Sequence, residues 1–168
     1  MDRPSLYDDD IVTWAEEQAA ALRALGARTD LSNAIDWENV AEEVESVGRS
    51  EIDRVESAIE QMLIHVLKYA LAPGAQPKGS WRKEVLVFHA SASRNYRASM
   101  RQKVDWERLW RGVVKQADAS LNVFGERLLG GLPERMPFTP EELVAEDFDM
   151  DAGLARLADV LKRSIDHY

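Results

Sequence analysis

Three histidines, His65, His89 and His167, are the scarcest side chains here that can do chemistry. There is no cysteine. That excludes a thiolate nucleophile, a disulfide scaffold, cysteine-ligated zinc and an iron–sulfur cluster. His65 is the histidine with carboxylates to draw on: Glu42, Glu45 and Asp8 to Asp10, all on other expected helices. A metal site in a helical bundle needs inward carboxylates and histidines on facing helices, typically with Glu-x-x-His spacing. That spacing is absent, since Glu60 precedes His65 by five residues and the stretch from Arg82 to His89 offers no suitably spaced acid. A general base needs a pocket and a tuned pKa, and the residues to line one beside His65 are Glu42, Glu45, Ser46 and Arg49. The catalytic candidates are therefore His65, Glu42 and Glu45, with no metal and no cofactor expected. A plainer reading stands beside each. His65 serves as a helix-flank histidine bonded to an acid, and Glu45 and Arg49 form a surface i,i+4 pair worth about 0.3–0.5 kcal/mol. His167, next to the last residue, frays.

A second constellation is basic. Arg94, Arg97 and Arg101 fall within two turns of one expected helix face, with Tyr96 between them, and Arg108, Arg111 and Lys115 repeat the spacing on the next helix. Six such cations would neutralise several phosphates, and that binding would fall steeply with salt. No helix-turn-helix pattern accompanies them. Five tryptophans are present, at 14, 37, 81, 106 and 110. Each lies near a helix start or on an apolar stripe, so core packing is expected. Trp110 alone is placed to offer a stacking face beside the arginines. Gly130-Gly131 lacks the preceding strand and following lysine of a phosphate loop, and no serine occupies a Gly-x-Ser-x-Gly elbow.

The chain has 168 residues, 45% hydrophobic and 30% charged. That is enough for one domain with a real core, and too apolar for global disorder. No apolar run approaches the ~20 residues of a membrane span, and Met1-Asp2-Arg3-Pro4 does not open like a signal peptide. A cytoplasmic protein without a membrane association is expected. The net charge of −9 argues against a surface that binds nucleic acid all over. The charge is also segregated: residues 1–60 hold 16 acidic and 5 basic residues, and residues 78–115 hold 10 basic and 3 acidic. Either these segments face each other within the fold, or the basic one presents a face to an anionic partner.

Helical periodicity dominates. Ile11, Trp14, Ala15, Gln18, Leu22 and Leu25 follow 3–4 spacing, with Asp9 or Asp10 as cap and Gly26 as the end. A second helix opens at Asp36, carries Trp37, Val40, Ala41, Val44 and Val47, and stops at Gly48. Ser50, with Asp53 at capping-box spacing, begins a third. Its stripe from Ile52 to Ala70 is the most apolar, which places it centrally, and Pro73, Gly74, Pro77 and Gly79 close it. Ser80 caps a fourth helix with Trp81, Val85, Phe88, Ala92, Tyr96 and Met100 inward. Asp105 caps a fifth that stays in phase to about residue 129, where Gly130, Gly131 and Pro133 break it. Thr139-Pro140-Glu141-Glu142 starts a short helix. A final one carries Leu154, Leu157, Ala158, Leu161 and Ile165.

Five blocks in order resemble a known bacterial family, the domain of unknown function numbered twenty-nine. They are Leu6 to Trp14 with Gln18 to Arg23, Asp36 to Ser50, Met62 to Tyr69, Ser80-Trp81-Arg82, and Pro137 to Leu143 with Glu146-Asp147-Phe148. The chain departs from the family's pattern at Ile11-Val12, where an aromatic pair is usual, and at Asp149-Met150, where an apolar-aromatic stretch is usual. The resemblance implies a compact all-helical bacterial protein and implies no activity.

The expectation is an all-α fold: one domain over residues 1–168, a helical bundle of about five long helices and one short one. The leading functional reading is a protein-interaction or structural module, with an unknown protein or a second copy as partner. The alternatives are a nucleic-acid-binding regulator using Arg94, Arg97, Arg101, Arg108, Arg111 and Lys115, and a metal-dependent enzyme centred on His65.

Overall fold

The computed structural model describes residues 5–31, 33–72, 78–128 and 131–165. The expected loop residues Pro73, Gly74 and Pro77, the break at Gly130, and His167 lie outside these, as do the side chains of Ala158, Leu161 and Ile165. Every regular element among the described residues is helical: α1 Leu6–Asp9, α2 Ile11–Gly26, α3 Trp37–Leu71, α4 Lys78–Asn95, α5 Trp106–Asn122, α6 Pro140–Val144 and α7 Met150–Ile165, with a 3-10 turn at Ala98–Gln102. The all-α expectation holds, with five long helices, but they are not the five read from the pattern. The chain divides into two units, Met1–Arg54 with Tyr96–Val104, and Val55–Asn95 with Asp105–Tyr168.

The largest difference lies at Gly48. The expected stop there and the expected restart at Ser50 are both absent, and one 35-residue helix, α3, runs through. A glycine ends a helix when the chain must turn left-handed, and Gly48 has no positive φ. It serves packing instead. Gly48 is buried, and a Cβ on it would lie 3.4 Å from the Ala15 Cβ and 3.5 Å from the Val12 backbone. Gly26 likewise ends α2 without a positive φ. A Cβ there would fall 2.5 Å from the Trp37 Cβ, so the first residue of α3 occupies the space that the missing side chain leaves.

In the first unit, Asp10 is the cap of α2, accepting from the Thr13 amide at 3.1 Å. Val12, Ala15 and Ala19 of α2, Ala41 of α3, and Met100 and Val104 are its buried apolar residues. In the second unit, the stretch of α3 from Val55 to Leu71 buries Val55, Ile59, Met62, Leu63, Val66 and Leu67. This matches the central position that its apolar stripe requires. The α4 helix begins at Lys78, two residues before the expected cap. It ends at Asn95, so Tyr96 and Met100 are not on its inner face; Met100 is buried from the 3-10 turn. The Val85 to Phe88 run is helical, with Val85 buried and Leu86 and Val87 exposed. The α5 helix is capped by Asp105 and stops at Asn122, not near 129. The amide of Glu126 returns to the Leu121 carbonyl at 3.1 Å, and Gly125 takes a φ of 74°, a left-handed turn open to glycine. At α6 the expected capping box is complete: the Thr139 amide donates to Glu142 at 2.7 Å, and the Glu142 amide donates to the Thr139 hydroxyl at 3.2 Å.

The two glycines should respond oppositely to alanine. Gly48→Ala meets only ordinary contacts in a helix interior and is expected to stabilise by up to about 1 kcal/mol. Gly26→Ala meets the root of the Trp37 side chain, 2.5 Å from its Cβ and 2.9 Å from its Cγ, and is expected to cost about 1–3 kcal/mol. Urea unfolding of the two variants measures both signs.

Candidate interaction groove

Merging two expected helices into α3 changes where the candidate residues stand. Glu42 and Glu45 belong to the first unit and His65 to the second. They share one helix, with more than five turns between Glu45 and His65. The proposed acid–histidine pairing is therefore not assembled. Glu45 and Glu42 turn instead to Arg23 of α2, at 2.8 and 3.5 Å, and Arg23 also reaches Glu38 at 3.1 Å. The hydrogen bond from Arg23 holds the Glu45 carboxyl below its ordinary range. Arg49 bonds Glu42 at 2.5 Å rather than the expected Glu45.

Among the described residues, His65 forms no hydrogen bond or ion pair with an acid. Its Nδ1 is buried without a hydrogen bond, and its ring stacks on Phe88, centroids 5.9 Å apart and planes 8° from parallel. Burial, then the charge of Lys68, pushes its pKa below 6.5 against the opposing pull of Glu84. Lys68 itself is only 8% exposed. Its ammonium lies 4.9 Å from the centre of the Trp81 ring, a cation–π contact standing where a carboxylate would. His89 donates from Nε2 to the Ala145 carbonyl at 2.9 Å and stacks on Phe148, fixing α4 to the segment after α6. Among the described residues, no group of three or more histidines and carboxylates is placed to hold a metal ion. Asp10 serves α2: burial pushes its carboxyl up, but hydrogen bonds from Thr13 and Ser99 outweigh this and lower it. Asp8 accepts from the Ser5 hydroxyl at 2.6 Å.

The six basic candidates do not form one face. Arg94 is at the end of α4 and Arg101 lies in the 3-10 turn. Arg97, just before that turn, donates to the Asp9 carbonyl at 2.8 Å and to the Tyr96 carbonyl at 2.9 Å. Arg108 pairs with Glu56 at 2.7 Å. Lys103, nearby in sequence, pairs with Glu16. Basic and acidic segments therefore do meet, though not at Glu38 to Glu45, which Arg23 and Arg49 have taken. Trp110 is 1% exposed and donates to the Pro133 carbonyl at 2.8 Å, so it offers no stacking face. Arg111 and Lys115 remain on the exposed side of α5.

The site that sequence reasoning missed is an apolar groove in the first unit. Its floor is Val40, Val44 and Val47, spaced i, i+4, i+7 along α3, and its wall is Tyr7 and Trp14, packed edge to face at 4.8 Å. Asp36, Asn39 and Glu43 stand on its rim, and it encloses about 470 Å³. Tyr7 is 55% exposed, and Val40 and Val47 are each 41% exposed. The valines belong to the expected apolar stripe of this helix; Ala41 and Gly48, one position beyond Val40 and Val47, take the buried face.

Residues 6–149, which include every groove residue, match Domain of unknown function DUF29. The chain belongs to this family. It is also similar to an α-helical protein of unknown function from Rhodospirillum rubrum, solved as a crystal structure. The two share 34% identity over 92% of this chain and 99% of that one, with a TM-score of 0.82. No curated protein matches it. Among the described residues of this DUF29 chain, no helix is long and apolar enough to cross a membrane.

The half-buried His65 makes stability depend on pH. Because its folded pKa lies below 6.5, the unfolded chain takes up the proton first as pH falls. Its contribution is complete above about 6.5 and is lost as pH drops toward the folded value. The lowered carboxyls of Glu45, Glu142 and Asp151 act in the same direction below their ordinary values of 3.8–4.5. Thermal melts at pH 7 and pH 5 should show a smaller loss for His65→Gln than for the unsubstituted protein.

Proposed function

We propose that this chain is a protein-interaction module whose groove receives a helical segment of a partner protein, apolar on one face and basic along its flanks. The observation that carries this reading is the open Val40, Val44 and Val47 stripe facing Tyr7 and Trp14. Three β-branched side chains at helical spacing normally face a core. Left open, they form a track that suits the apolar i, i+3, i+4, i+7 positions of a second helix, as in helix-in-groove recognition. Burying such side chains contributes roughly 1.5–3 kcal/mol each.

Charge selects the flanks. Residues 1–60 carry an excess of 11 acids, the difference between 16 and 5. Of the acids at the groove, Asp36 is occupied, accepting from the Asn39 backbone amide at 3.3 Å and from the Asn39 side chain at 2.6 Å. The exposed carboxylate of Glu43 makes no ion pair among the described residues. A lysine- or arginine-flanked helix complements this rim, and an acidic one is repelled by it.

A synthetic Leu-striped helix with Lys flanks should bind with a micromolar Kd by fluorescence anisotropy, and the same peptide with Glu flanks should bind at least tenfold more weakly. Val40→Asp and Val47→Asp, at exposed positions that leave the melting temperature within a few degrees, should each weaken binding tenfold or more. Equal binding of the two peptides, or of the variants, would refute the groove as the site. A concentration-dependent dimer in sedimentation that Val47→Asp dissolves would replace the partner by a second copy of this chain.

A further inference from the structure

Nine cations of this acid-rich chain are matched to carboxylates among the described residues. Arg23, Arg28, Arg49, Arg54, Arg82 and Arg127 each hold a carboxylate, and so do Lys103, Arg108 and Arg156. Arg111 and Lys115 differ. They stand one turn apart on the exposed side of α5, and neither forms an ion pair among the described residues. Like charges at this spacing disfavour the helix that carries them, so their pairing needs a counter-charge from elsewhere.

Both cations line a cleft of about 330 Å³ whose remaining wall is Trp110, Val114, Leu132, Pro133 and Glu134. The wall is fixed in place. Trp110 Nε1 donates to the Pro133 carbonyl at 2.8 Å, and the Met136 amide donates to Glu107 at 3.2 Å, tying the 133–136 segment to α5. Glu134 is the single acid of the lining, against two cations. We propose that this cleft binds a small amphiphilic anion, with a carboxylate or phosphate head between Arg111 and Lys115 and an apolar body against Val114, Leu132 and Pro133. The volume is at the small end of ligand cavities, and apolar walls with a few convergent polar groups are their usual make-up. A polynucleotide fits less well, because the neighbouring Arg108 is already held by Glu56.

Calorimetric titration with octanoate, octyl phosphate, octylammonium and inorganic phosphate, all below micellar concentration, tests the assignment and separates the two head groups. At least one octyl anion is expected to bind at one site per chain, with octylammonium and inorganic phosphate at least tenfold weaker. The double variant Arg111→Gln/Lys115→Gln, at exposed positions, should melt like the unsubstituted protein and lose at least tenfold in affinity. Leu132→Asn should weaken the octyl anions while leaving inorganic phosphate unchanged. Silence of both octyl anions, equal binding of octylammonium, or undiminished binding by the double variant would overturn the proposal.

Discussion

The continuity of α3 through Gly48 is the constraint on which the rest depends. A helix that stopped there would leave Glu42 and Glu45 free to approach His65 from a separate element. A helix that continues fixes them more than five turns away along the same axis. The continuation needs no left-handed turn at Gly48, which has no positive φ, and α2 packs there with its Val12 backbone and Ala15 methyl at ordinary contact distance. Continuity at one point thereby decides which polar groups can meet. The acids of the first turns of α3 are matched from α2 by Arg23, and at His65 burial and Lys68 outweigh the pull of Glu84.

The same close approach determines which face of α3 is spent on the core. Ala41 and Gly48, seven residues apart, are buried, and small residues at that spacing let two helix backbones come near each other. The valines at 40, 44 and 47 are rotated away from that contact line and are only partly covered, by Tyr7 and Trp14. An apolar groove is thus a consequence of using small residues for the helix contact: the larger apolar side chains are displaced to its flank.

The fold class was legible because 3–4 periodicity and side-chain caps are local. Asp10, Asp105 and the Thr139–Glu142 box all act within their own turn and can be read without knowing the tertiary structure. What was not legible was nonlocal. Glycine carries two meanings, a left-handed turn or a close approach, and the difference at Gly48 rests on Val12 and Ala15, more than thirty residues earlier. The end of α5 was misjudged because Phe124 and Leu128 continue the period, whereas the chain turns at Gly125; Phe124 is exposed. Of the site candidates, residue type was informative but pairing was not. Six cations at helical spacing looked equivalent, yet Arg97 and Arg108 are absorbed by Asp9 and Glu56, and Arg111 and Lys115 are not.

Buried polar groups follow the same logic. Lys68 is nearly enclosed, and burial depresses its pKa. Its ammonium is steadied by the Trp81 face, so the charge is met by a quadrupole and needs no carboxylate from the core. His65, three residues earlier on the same helix, feels this cation against the weaker opposing pull of Glu84. That charge and its own burial both favour neutral imidazole. Stacked on Phe88, the half-buried ring serves as an aromatic packing residue. This explains how a residue type suited to proton transfer ends in a packing role: the environment that would activate a general base supplies a hydrogen-bonded carboxylate and water, and the position offers Phe88, Lys68 and, among the described residues, an Nδ1 with no hydrogen bond.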